Sequence, residues 1–338
     1  MGLEMTVAGS DQKYDLKKDE TILDGALRHG LNFPYGCRSG FCGSCKGTIL
    51  QGEVTPIYDD LPAALSEDEI NKGIVLCCQF KAKTSVSIDI EEVKSSADIE
   101  VKNLPTKVAK MEKLSHDVMR LYLKLPATDR LQFLAGQYID IIDKTSGNRS
   151  FSMANAPHND EFIELHIRHV DGGIFTEYVF DQLKEKDLLR IEGPLGGFYL
   201  REDSERSIIM MAGGTGFAPI KSLLEHLFAK EMSNKVYLYW GVRAKRDLYL
   251  HELAAQWAEQ YENFEYIPVL SDPMEDDVWF GRKGFVHEAI MSDFEHLDEF
   301  DIYTCGPPVM IDAGKDAFAS KGFNLKHYYS DAFEFAPR

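Results

Sequence analysis

Residues 34–47 read PYGCRSGFCGSCKG, and this stretch decides how the N-terminal part of the chain folds. Cys37, Cys42 and Cys45 stand here at C-x4-C-x2-C spacing, and an adjacent pair, Cys77 and Cys78, follows downstream. The interspersed glycines allow positive φ angles, so that a short loop can wrap its backbone N–H groups around a bound group. Five of the six cysteines fall between residues 37 and 78, and this clustering indicates metal or redox chemistry rather than dispersed crosslinks.

The cysteine spacing favours iron over zinc. Three close cysteines and one distant cysteine are typical of a 2Fe–2S site of the plant type. Zinc sites usually pair two C-x2-C units, and only Cys42 and Cys45 form such a unit here. Consecutive strand residues point to opposite faces, so Cys77 and Cys78 compete for the position of fourth ligand.

Composition excludes several classes of protein. The 338 residues include 55 Asp and Glu against 37 Lys and Arg, a net charge of -18, which argues against nucleic acid as a partner. A hydrophobic content of 44% is that of a globular protein, and no apolar run is long enough to span a membrane. The N-terminal residues are charged and lack the apolar core of a signal peptide, so we expect a cytoplasmic protein.

Two polar breaks, at residues 91–105 and 201–206, divide the chain. They predict three domains, at residues 1–93, 100–202 and 203–338, each of ordinary domain size. Residues 85–90 alternate like a strand just before the first break, which we interpret as a linker. Within the first domain, Ser66 and Glu69 form a capping-box pattern that predicts a short helix ending at Gly73.

The middle piece contains short alternating runs, such as residues 118–125 and 162–167, separated by turn residues. This pattern predicts a small antiparallel barrel. The string RSFSMAN at residues 149–155 lies within it, and GGIFT at residues 172–176 could open a helix whose N-terminus receives a phosphate. A tight turn, GPLGGF, follows at residues 193–198.

The C-terminal piece begins with a buried strand, a glycine turn and a helix starting near Pro219. Further strands and helices alternate at residues 236–240, 251–260, 266–270, 286–291 and 302–304. This alternation predicts a parallel sheet that binds a nucleotide at its carboxyl edge. The turn residues whose backbone amides can face a diphosphate are Gly213, Gly214, Thr215 and Gly216.

The whole N-terminal piece resembles the plant-type ferredoxins, which implies a β-grasp fold. The family pattern Leu-x-Cys-Gln falls on residues 76–79. The resemblance therefore implies that the 2Fe–2S ligands are Cys37, Cys42, Cys45 and Cys78, with Cys77 left in the core.

The other two pieces resemble the ferredoxin–NAD(P)H reductase family, in the R-x-Y/F-S motif at residues 149–152, the glycine-rich loop and the GPxGxF turn. The resemblance implies that Arg149 binds the flavin phosphates, Phe151 lies against the isoalloxazine ring and Ser152 hydrogen-bonds near N5. It implies that Gly173 and Thr176 hold the pyrophosphate and that the flavin is FAD. The family commonly has Tyr at the position of Phe151, so stacking is retained while the phenol hydrogen bond is lost.

The string CGPP at residues 305–308 also matches this family. By resemblance, Cys305, Gly306 and Pro307 lie at the nicotinamide, with Cys305 near the carbon that gives up hydride. Phe333 would cover the flavin until nicotinamide displaces it, and Asp331 would lie close to the transfer site. Residue 334 is a second carboxylate for the last role.

The dinucleotide preference depends on residues 240–247, WGVRAKRD. An acidic residue at the adenosine ribose favours NADH, whereas an arginine there can accept the 2′-phosphate of NADPH. Arg243 and Asp247 offer both chemistries. Relatives of this architecture mostly use NADH, which we expect here, with NADPH as the alternative.

The order ferredoxin, flavin domain, nicotinamide domain resembles the reductase components of bacterial oxygenases. In the glycine-rich cysteine loop, in residues 239–243 and in residues 330–334, the chain also resembles CDP-6-deoxy-3,4-glucoseen reductase-like proteins. The resemblance implies a monomeric NADH-dependent oxidoreductase that passes electrons through FAD and the 2Fe–2S cluster to an electron-accepting protein. That acceptor is an oxygenase component or, alternatively, a deoxysugar dehydratase. A third reading, a ferredoxin-like module with a vestigial reductase, is disfavoured by the intact flavin and nicotinamide motifs.

Overall fold

The computed structural model describes residues 3–9, 13–29, 31, 33–35, 39–58, 60–91, 99–126, 129, 131–143 and 147–333. The chain divides into two compact units. The first comprises Met1–Ile99 with Gly196–Phe198, and the second comprises Glu100–Leu195 with Tyr199–Arg338.

The first unit combines short strands with two helices. Its elements in chain order are β1 (Leu3–Val7), β2 (Lys13–Leu16), α1 (Ile22–Arg28), β3 (Lys46–Gln51), β4 (Val54–Pro56), α2 (Glu67–Asn71), β5 (Ile74–Leu76), β6 (Phe80–Ala82) and β7 (Val86–Asp89). Five strands form a sheet of order β2-β1-β7-β3-β5, in which β1 and β7 run parallel. Strands β4 and β6 form a separate antiparallel pair.

Helix α1 packs on this sheet because its residues suit both its start and its buried face. Thr21 Oγ1 accepts a hydrogen bond from the Asp24 N–H at 3.0 Å, which satisfies one of the free donors of the first turn. Leu23 is fully buried. A Cβ atom on Gly25 would lie 2.2 Å from Leu16 Cδ2, so glycine permits the close approach of α1 to β2. A helix crossing a mixed sheet confirms the predicted β-grasp architecture.

Helix α2 confirms the capping-box prediction. The Glu69 N–H donates to Ser66 Oγ at 3.3 Å, and the Ser66 N–H donates to Glu69 Oε2 at 2.9 Å. The helix ends at Asn71, and Gly73 follows with a φ of 79°, a left-handed conformation that favours glycine.

The second unit begins with an antiparallel sheet that is nearly closed into a barrel. Its elements are β8 (Lys102–Lys113), β9 (Val118–Lys124), β10 (Tyr138–Ile141), β11 (Arg149–Ser152), β12 (Ile163–Arg168), α3 (Ile174–Asp181) and β13 (Leu188–Leu195). The strand order is β11-β10-β13-β8-β9-β12, and a bridge between Met153 and Leu165 joins the two edges. The predicted barrel is confirmed, and its interior is filled by buried aliphatic side chains.

The rest of the second unit is a parallel sheet flanked by helices. Its elements are β14 (Ser207–Gly213), α4 (Phe217–Ala229), β15 (Val236–Val242), α5 (His251–Gln260), β16 (Phe264–Leu270), β17 (Arg282–Lys283), α6 (Val286–Asp293), β18 (Phe300–Gly306), α7 (Pro308–Ser320) and β19 (Tyr328–Ala332). The order β17-β16-β15-β14-β18-β19 places β14 in the middle, and it is buried on both faces, as expected of a parallel strand.

Two predicted boundaries shift. The interpretation of residues 91–105 as a linker is wrong at its C-terminal end, because β8 already begins at Lys102. Pro105 is tolerated there because that part of β8 pairs with β13 alone, opposite Arg190. Helix α4 begins at Phe217 rather than near Pro219, because a 3₁₀ turn at Gly214–Gly216 runs directly into it.

Candidate active site and cofactor sites

The cysteine loop brings two predicted ligands together. The Sγ atoms of Cys45 and Cys78 lie 3.2 Å apart, and both residues are buried. Cys42 is half-buried, and its Sγ accepts a hydrogen bond from the Ser44 N–H at 3.5 Å. Cys37 lies outside the described residues. Within the described ranges no three metal-ligating side chains converge, so the geometry joins two of the four predicted ligands.

The adjacent residues Cys77 and Cys78 make different contacts. Cys77 donates its backbone N–H to the Cys45 carbonyl at 3.0 Å, and its thiol is completely buried, which raises its pKa. Cys78 instead directs its sulfur to Cys45, and that hydrogen bond, together with burial, raises the pKa of Cys45. Two soft sulfur donors at contact distance in a buried site suit iron, whose positive charge stabilises the thiolate forms.

Strand β11 carries the predicted flavin residues. Arg149 is half-buried, and its Nη1 donates to the Asn148 carbonyl at 3.0 Å. The Phe151 ring lies 5.6 Å from the ring of Phe175 and is also half-buried. Ser152 is buried at the end of the strand. The arrangement leaves one charged and one aromatic side chain on the same face of β11.

The predicted pyrophosphate turn opens helix α3, as expected. Gly173 is its N-cap, and a Cβ there would lie 2.6 Å from Thr176 Oγ1. The Thr176 hydroxyl accepts from the Val170 N–H at 3.1 Å and is within donating distance of the Val170 carbonyl, 3.2 Å away. The hydroxyl therefore closes the turn, and the backbone amides of α3 are the groups that remain for a phosphate.

Three side chains predicted at the transfer site meet at one carboxylate oxygen. Ser152 Oγ lies 3.4 Å from Asp331 Oδ2, and Cys305 Sγ lies 3.9 Å from the same atom. All three residues are buried. Burial and the charge of Asp331 raise the pKa of Cys305 well above its ordinary value, so it is a thiol at neutral pH.

The residue that follows β19, Phe333, is hydrogen-bonded to Gly306, the neighbour of Cys305. Phe333 is half-buried, and its backbone N–H donates to the Gly306 carbonyl at 2.9 Å, directly after β19. Residue 334, the alternative carboxylate, lies outside the described residues.

The glycine turn and the CGPP segment are in contact through their backbones. A Cβ on Gly216 would lie 2.1 Å from the Cys305 carbonyl oxygen. Gly306 has a φ of 144°, and a Cβ on it would lie 3.0 Å from the backbone of Gly213. A Cβ on Gly213 would in turn lie 2.9 Å from Pro307. These approaches explain why the positions are glycine, and they leave Thr215 as the only turn residue with a side chain.

A cleft of about 340 Å³ is lined by His116, Arg168, Arg243, Ala244, Arg246, Asp247, Asp272 and Met274. Arg168 was missed by the sequence reasoning. Its Nε donates to Asp117 Oδ2 at 2.7 Å, and its Nη1 lies 3.2 Å from the position of a Cβ on Gly214. The only signal in the sequence was its place at the end of strand β12.

The two residues predicted to select the dinucleotide, Arg243 and Asp247, differ in the surroundings of their side chains. Asp247 Oδ2 accepts the Ala244 N–H at 2.9 Å and so caps the 3₁₀ turn at Lys245–Asp247. The Arg243 side chain is exposed and lines the cleft. One carboxylate oxygen of Asp247 is therefore committed to the backbone.

In the described part of the chain, none of the helices combines the length and apolar character that crossing a membrane requires.

Three family models match successive parts of the chain. The 2Fe-2S iron-sulfur cluster binding domain matches residues 5–83, the oxidoreductase FAD-binding domain residues 105–199, and the oxidoreductase NAD-binding domain residues 210–316.

Relatives and solved structures match nearly the full length. CDP-6-deoxy-L-threo-D-glycero-4-hexulose-3-dehydrase reductase of Yersinia pestis is 41% identical over 313 residues, 93% of each chain. The phenol hydroxylase P5 protein of Acinetobacter pittii is 36% identical over 318 residues, covering 93% of this chain and 89% of that one. The crystal structure of the Amycolatopsis cytochrome P450 reductase GcoB is similar with a TM-score of 0.82 and 31% identity, over 98% of both chains.

The chain therefore belongs to the family of iron–sulfur flavoprotein reductases. It is an NAD(P)H-dependent electron-transfer oxidoreductase with an FAD-binding domain and a 2Fe–2S domain, so the predicted class, activity and cofactor set are confirmed. Relatives that are reductase components support an electron-accepting partner.

Proposed function

We propose that the chain is the reductase component of a multicomponent oxygenase and delivers electrons from NADH to a separate oxygenase protein. The observation that carries the reductase half of this proposal is the meeting of Ser152, Cys305 and Asp331 at one buried oxygen. The strand that bears the flavin motif and the two strands of the nucleotide layer thus converge on a common point. The oxygenase half is supported by relatives such as the phenol hydroxylase P5 protein.

Each residue at this point has a proposed role. FAD, when bound, supplies the chemistry that accepts a hydride and releases single electrons. The Ser152 hydroxyl would donate a hydrogen bond to bound flavin, and the neutral Cys305 thiol would border the nicotinamide. Asp331 accepts from both and holds their orientation. Phe333 covers the flavin site until nicotinamide enters.

The remaining cofactor contacts follow from the loops. Arg149 and the α3 amides after Gly173 would hold the flavin phosphates, and Phe151 would stack on the ring. Thr176 keeps the turn closed. The dinucleotide lies on the amides of the Gly213–Gly216 turn and against Gly306 and Pro307, with Arg243 at its ribose end. We add Arg168 to these contacts, because its guanidinium lies over the glycine turn.

For the cluster we propose Cys37, Cys42, Cys45 and Cys78 as the four ligands. The 3.2 Å separation of the Cys45 and Cys78 sulfurs supports Cys78 over Cys77.

We propose NADH as the preferred dinucleotide. The acidic side chains Asp247 and Asp272 line the cleft that we assign to the adenosine end, where they can accept hydrogen bonds from a ribose diol. The arginines of the same cleft keep NADPH as a slower substrate.

The proposed domain bounds are 1–93, 100–202 and 203–338, and each family-model match falls inside one of them. We propose a monomer that acts in the cytoplasm, where NADH is available and thiolate ligands stay reduced.

The test measures NADH-driven reduction of ferricyanide and cytochrome c by purified protein with its flavin and cluster quantified. The proposal expects reduction of both acceptors. Protein that holds flavin and cluster yet reduces neither would overturn the reductase role.

A second candidate acceptor is a deoxysugar dehydratase that carries a pyridoxamine-bound intermediate, favoured by the 41% identity to the Yersinia pestis reductase. Coupled NADH oxidation with each acceptor class separates the two. Turnover that depends on an oxygenase component supports the first, and turnover that depends on a dehydratase and its sugar nucleotide supports the second.

A further inference from the structure

A buried charged network lies where strand β12 of the barrel meets helix α4 of the nucleotide layer. Glu164 and His166 on β12 and Lys221 on α4 are each no more than 5% exposed. The alternate residues of β12 fill the barrel core, so Glu164 and His166 face the nucleotide layer instead. Charged side chains are rarely buried this deeply unless every charge is paired.

Lys221 joins the two layers directly. Its Nζ lies 3.1 Å from Glu164 Oε2 and 2.7 Å from Glu225 Oε1, and it donates to the Ala154 carbonyl at 3.0 Å. The three N–H groups of the ammonium therefore have three acceptors, and two of these belong to the barrel. Although burial opposes it, the hydrogen bond from His166 and the charge of Lys221 hold the pKa of Glu164 at about 2.

His166 continues the network away from Glu164. Its Nε2 lies 2.9 Å from Glu164 Oε1, and its Nδ1 lies 3.1 Å from the hydroxyl oxygen of Tyr249. A carboxylate can only accept, so the proton is assigned to Nε2, and Nδ1 then accepts from Tyr249. Burial lowers the pKa of His166, which agrees with a neutral ring.

The two ends of the network lie at the two halves of the active site. Ala154 lies two residues beyond Ser152, the last residue of β11, the flavin strand. At the other end, the Tyr249 ring meets Trp240 edge to face at 5.2 Å, and Trp240 Nε1 donates to the Gly214 carbonyl at 3.0 Å. A continuous chain of contacts thus runs from the flavin strand to the glycine turn that receives the dinucleotide.

We propose that Glu164, His166, Lys221 and Tyr249, the β12–α4 network, are positioning residues that fix the flavin strand relative to the nucleotide turn. A buried ion pair often stabilises a fold no better than apolar side chains of the same volume, so stability alone does not account for it. Hydride transfer, in contrast, depends steeply on the distance and angle between donor and acceptor. The inference rests on the proposed roles of Ser152 and the glycine turn.

The test compares the single variant Lys221→Met with the double variant Glu164→Gln/Lys221→Met, in holoprotein. The single variant leaves a buried carboxylate without its ammonium and should unfold at a lower temperature. The double variant removes the buried Glu164–Lys221 charge pair and should regain part of the lost unfolding temperature, because only Glu225 and the Ala154 carbonyl still lack their donor. If the network positions the cofactors, flavin reduction by NADH should remain slower by about tenfold or more in the double variant. Its visible circular dichroism from bound flavin should also differ from that of wild type.

The matched control is Lys235→Met/Glu265→Gln, a pair at 3.0 Å between the residue before β15 and β16, with both side chains about half exposed. It should leave the rate, the dichroism and the unfolding temperature unchanged. A double variant with wild-type rate and dichroism overturns the inference. Wild-type protein that fails to reduce its own flavin with NADH would instead overturn the proposed function.

If the double variant does not fold, Tyr249→Phe decides. It keeps every charge and the ring packing and removes only the donor to His166. A slower flavin reduction at an unchanged unfolding temperature supports positioning, and a wild-type rate overturns it.

Discussion

Cys305 and Asp331 lie side by side on the neighbouring parallel strands β18 and β19, with Sγ and Oδ2 3.9 Å apart. The carboxyl edge of such a sheet is where nucleotides bind, and Ser152 reaches the same oxygen from the barrel at 3.4 Å. Both donor contacts are long, so the hydrogen bonds to the carboxylate are weak.

Replacement of Ser152 by Ala should slow flavin reduction by NADH roughly ten- to a hundredfold, because a donor at the developing charge is lost. Stopped-flow absorbance measures the rate. The matched control is Ser150→Ala, two residues earlier on β11, where the hydroxyl donates to Asp140 on the exposed side at 2.6 Å. If flavin reduction were equally fast in both variants, Ser152 would have no role at the transfer site.

Replacement of Asp331 by Asn should make Cys305 more reactive at a given pH. The charge of Asp331 contributes to the raised pKa of the thiol, while burial persists in the variant. The pKa should therefore fall but stay above its ordinary value. The pH dependence of iodoacetamide labelling, followed on the Cys305 peptide, measures the shift. An unchanged profile would mean that burial alone sets the pKa.

The fourth cluster ligand can be tested by paired substitutions. Cys78→Ser should abolish the normal 2Fe–2S absorption and electron paramagnetic resonance spectra. Cys77→Ser, in the adjacent position, should retain them with some loss of stability, since its thiol is fully buried. The reverse outcome would assign Cys77 as the ligand.

Arg168→Ala should raise the KM for NADH and for NADPH alike, by about five- to twentyfold, because its guanidinium lies over the glycine turn that we propose for both dinucleotides. Arg243→Ala should affect NADPH more, since Arg243 lines the cleft that we propose for the adenosine ribose. Arg190→Ala, which removes a surface contact to Asn103, is the control. If Arg168→Ala raised the KM for NADPH alone, Arg168 would instead be assigned to the adenosine ribose.

Glu164 should make the second unit sensitive to acid. Its pKa is held at about 2 against an ordinary 4.5, so its contribution to stability is present above pH 4.5 and lost as the pH falls toward 2. Each pH unit in that window removes about 1.4 kcal/mol of unfolding free energy. Neutral His166 adds a loss that already begins as the pH falls below 6.5, and Lys221 and Arg120 are the cations facing the carboxylate.

Glu164→Gln should therefore flatten the dependence of stability on pH between 4.5 and 2. Urea unfolding followed by tryptophan fluorescence measures this, because all three tryptophans lie in the second unit. The exposed substitution Glu262→Gln is the control. Identical slopes in wild type and Glu164→Gln would contradict the assignment.

The parts of the site that could be predicted from the sequence are those formed by residues close together in the chain. The glycine turn, the CGPP segment and the alternation of strands and helices depend on neighbouring residues. Arg168, Lys221 and Glu164 could not be found in this way, because their roles arise only when β12 meets α4 and the glycine turn in space. Thr176 shows a second limit of prediction from motifs. The motif places its hydroxyl at a phosphate, whereas in the structure the hydroxyl hydrogen-bonds within its own loop.

The central claim is that electrons enter at the site formed by Ser152, Cys305 and Asp331 and leave through the cluster bound by Cys78. Anaerobic stopped-flow mixing of the holoprotein with NADH, with flavin and cluster absorbance followed together, tests this most directly. We predict that flavin absorbance falls before cluster absorbance, that Ser152→Ala slows both phases, and that Cys78→Ser retains flavin reduction but no longer reduces cytochrome c. Cluster reduction that precedes flavin reduction, or proceeds at the wild-type rate in Ser152→Ala, would contradict it.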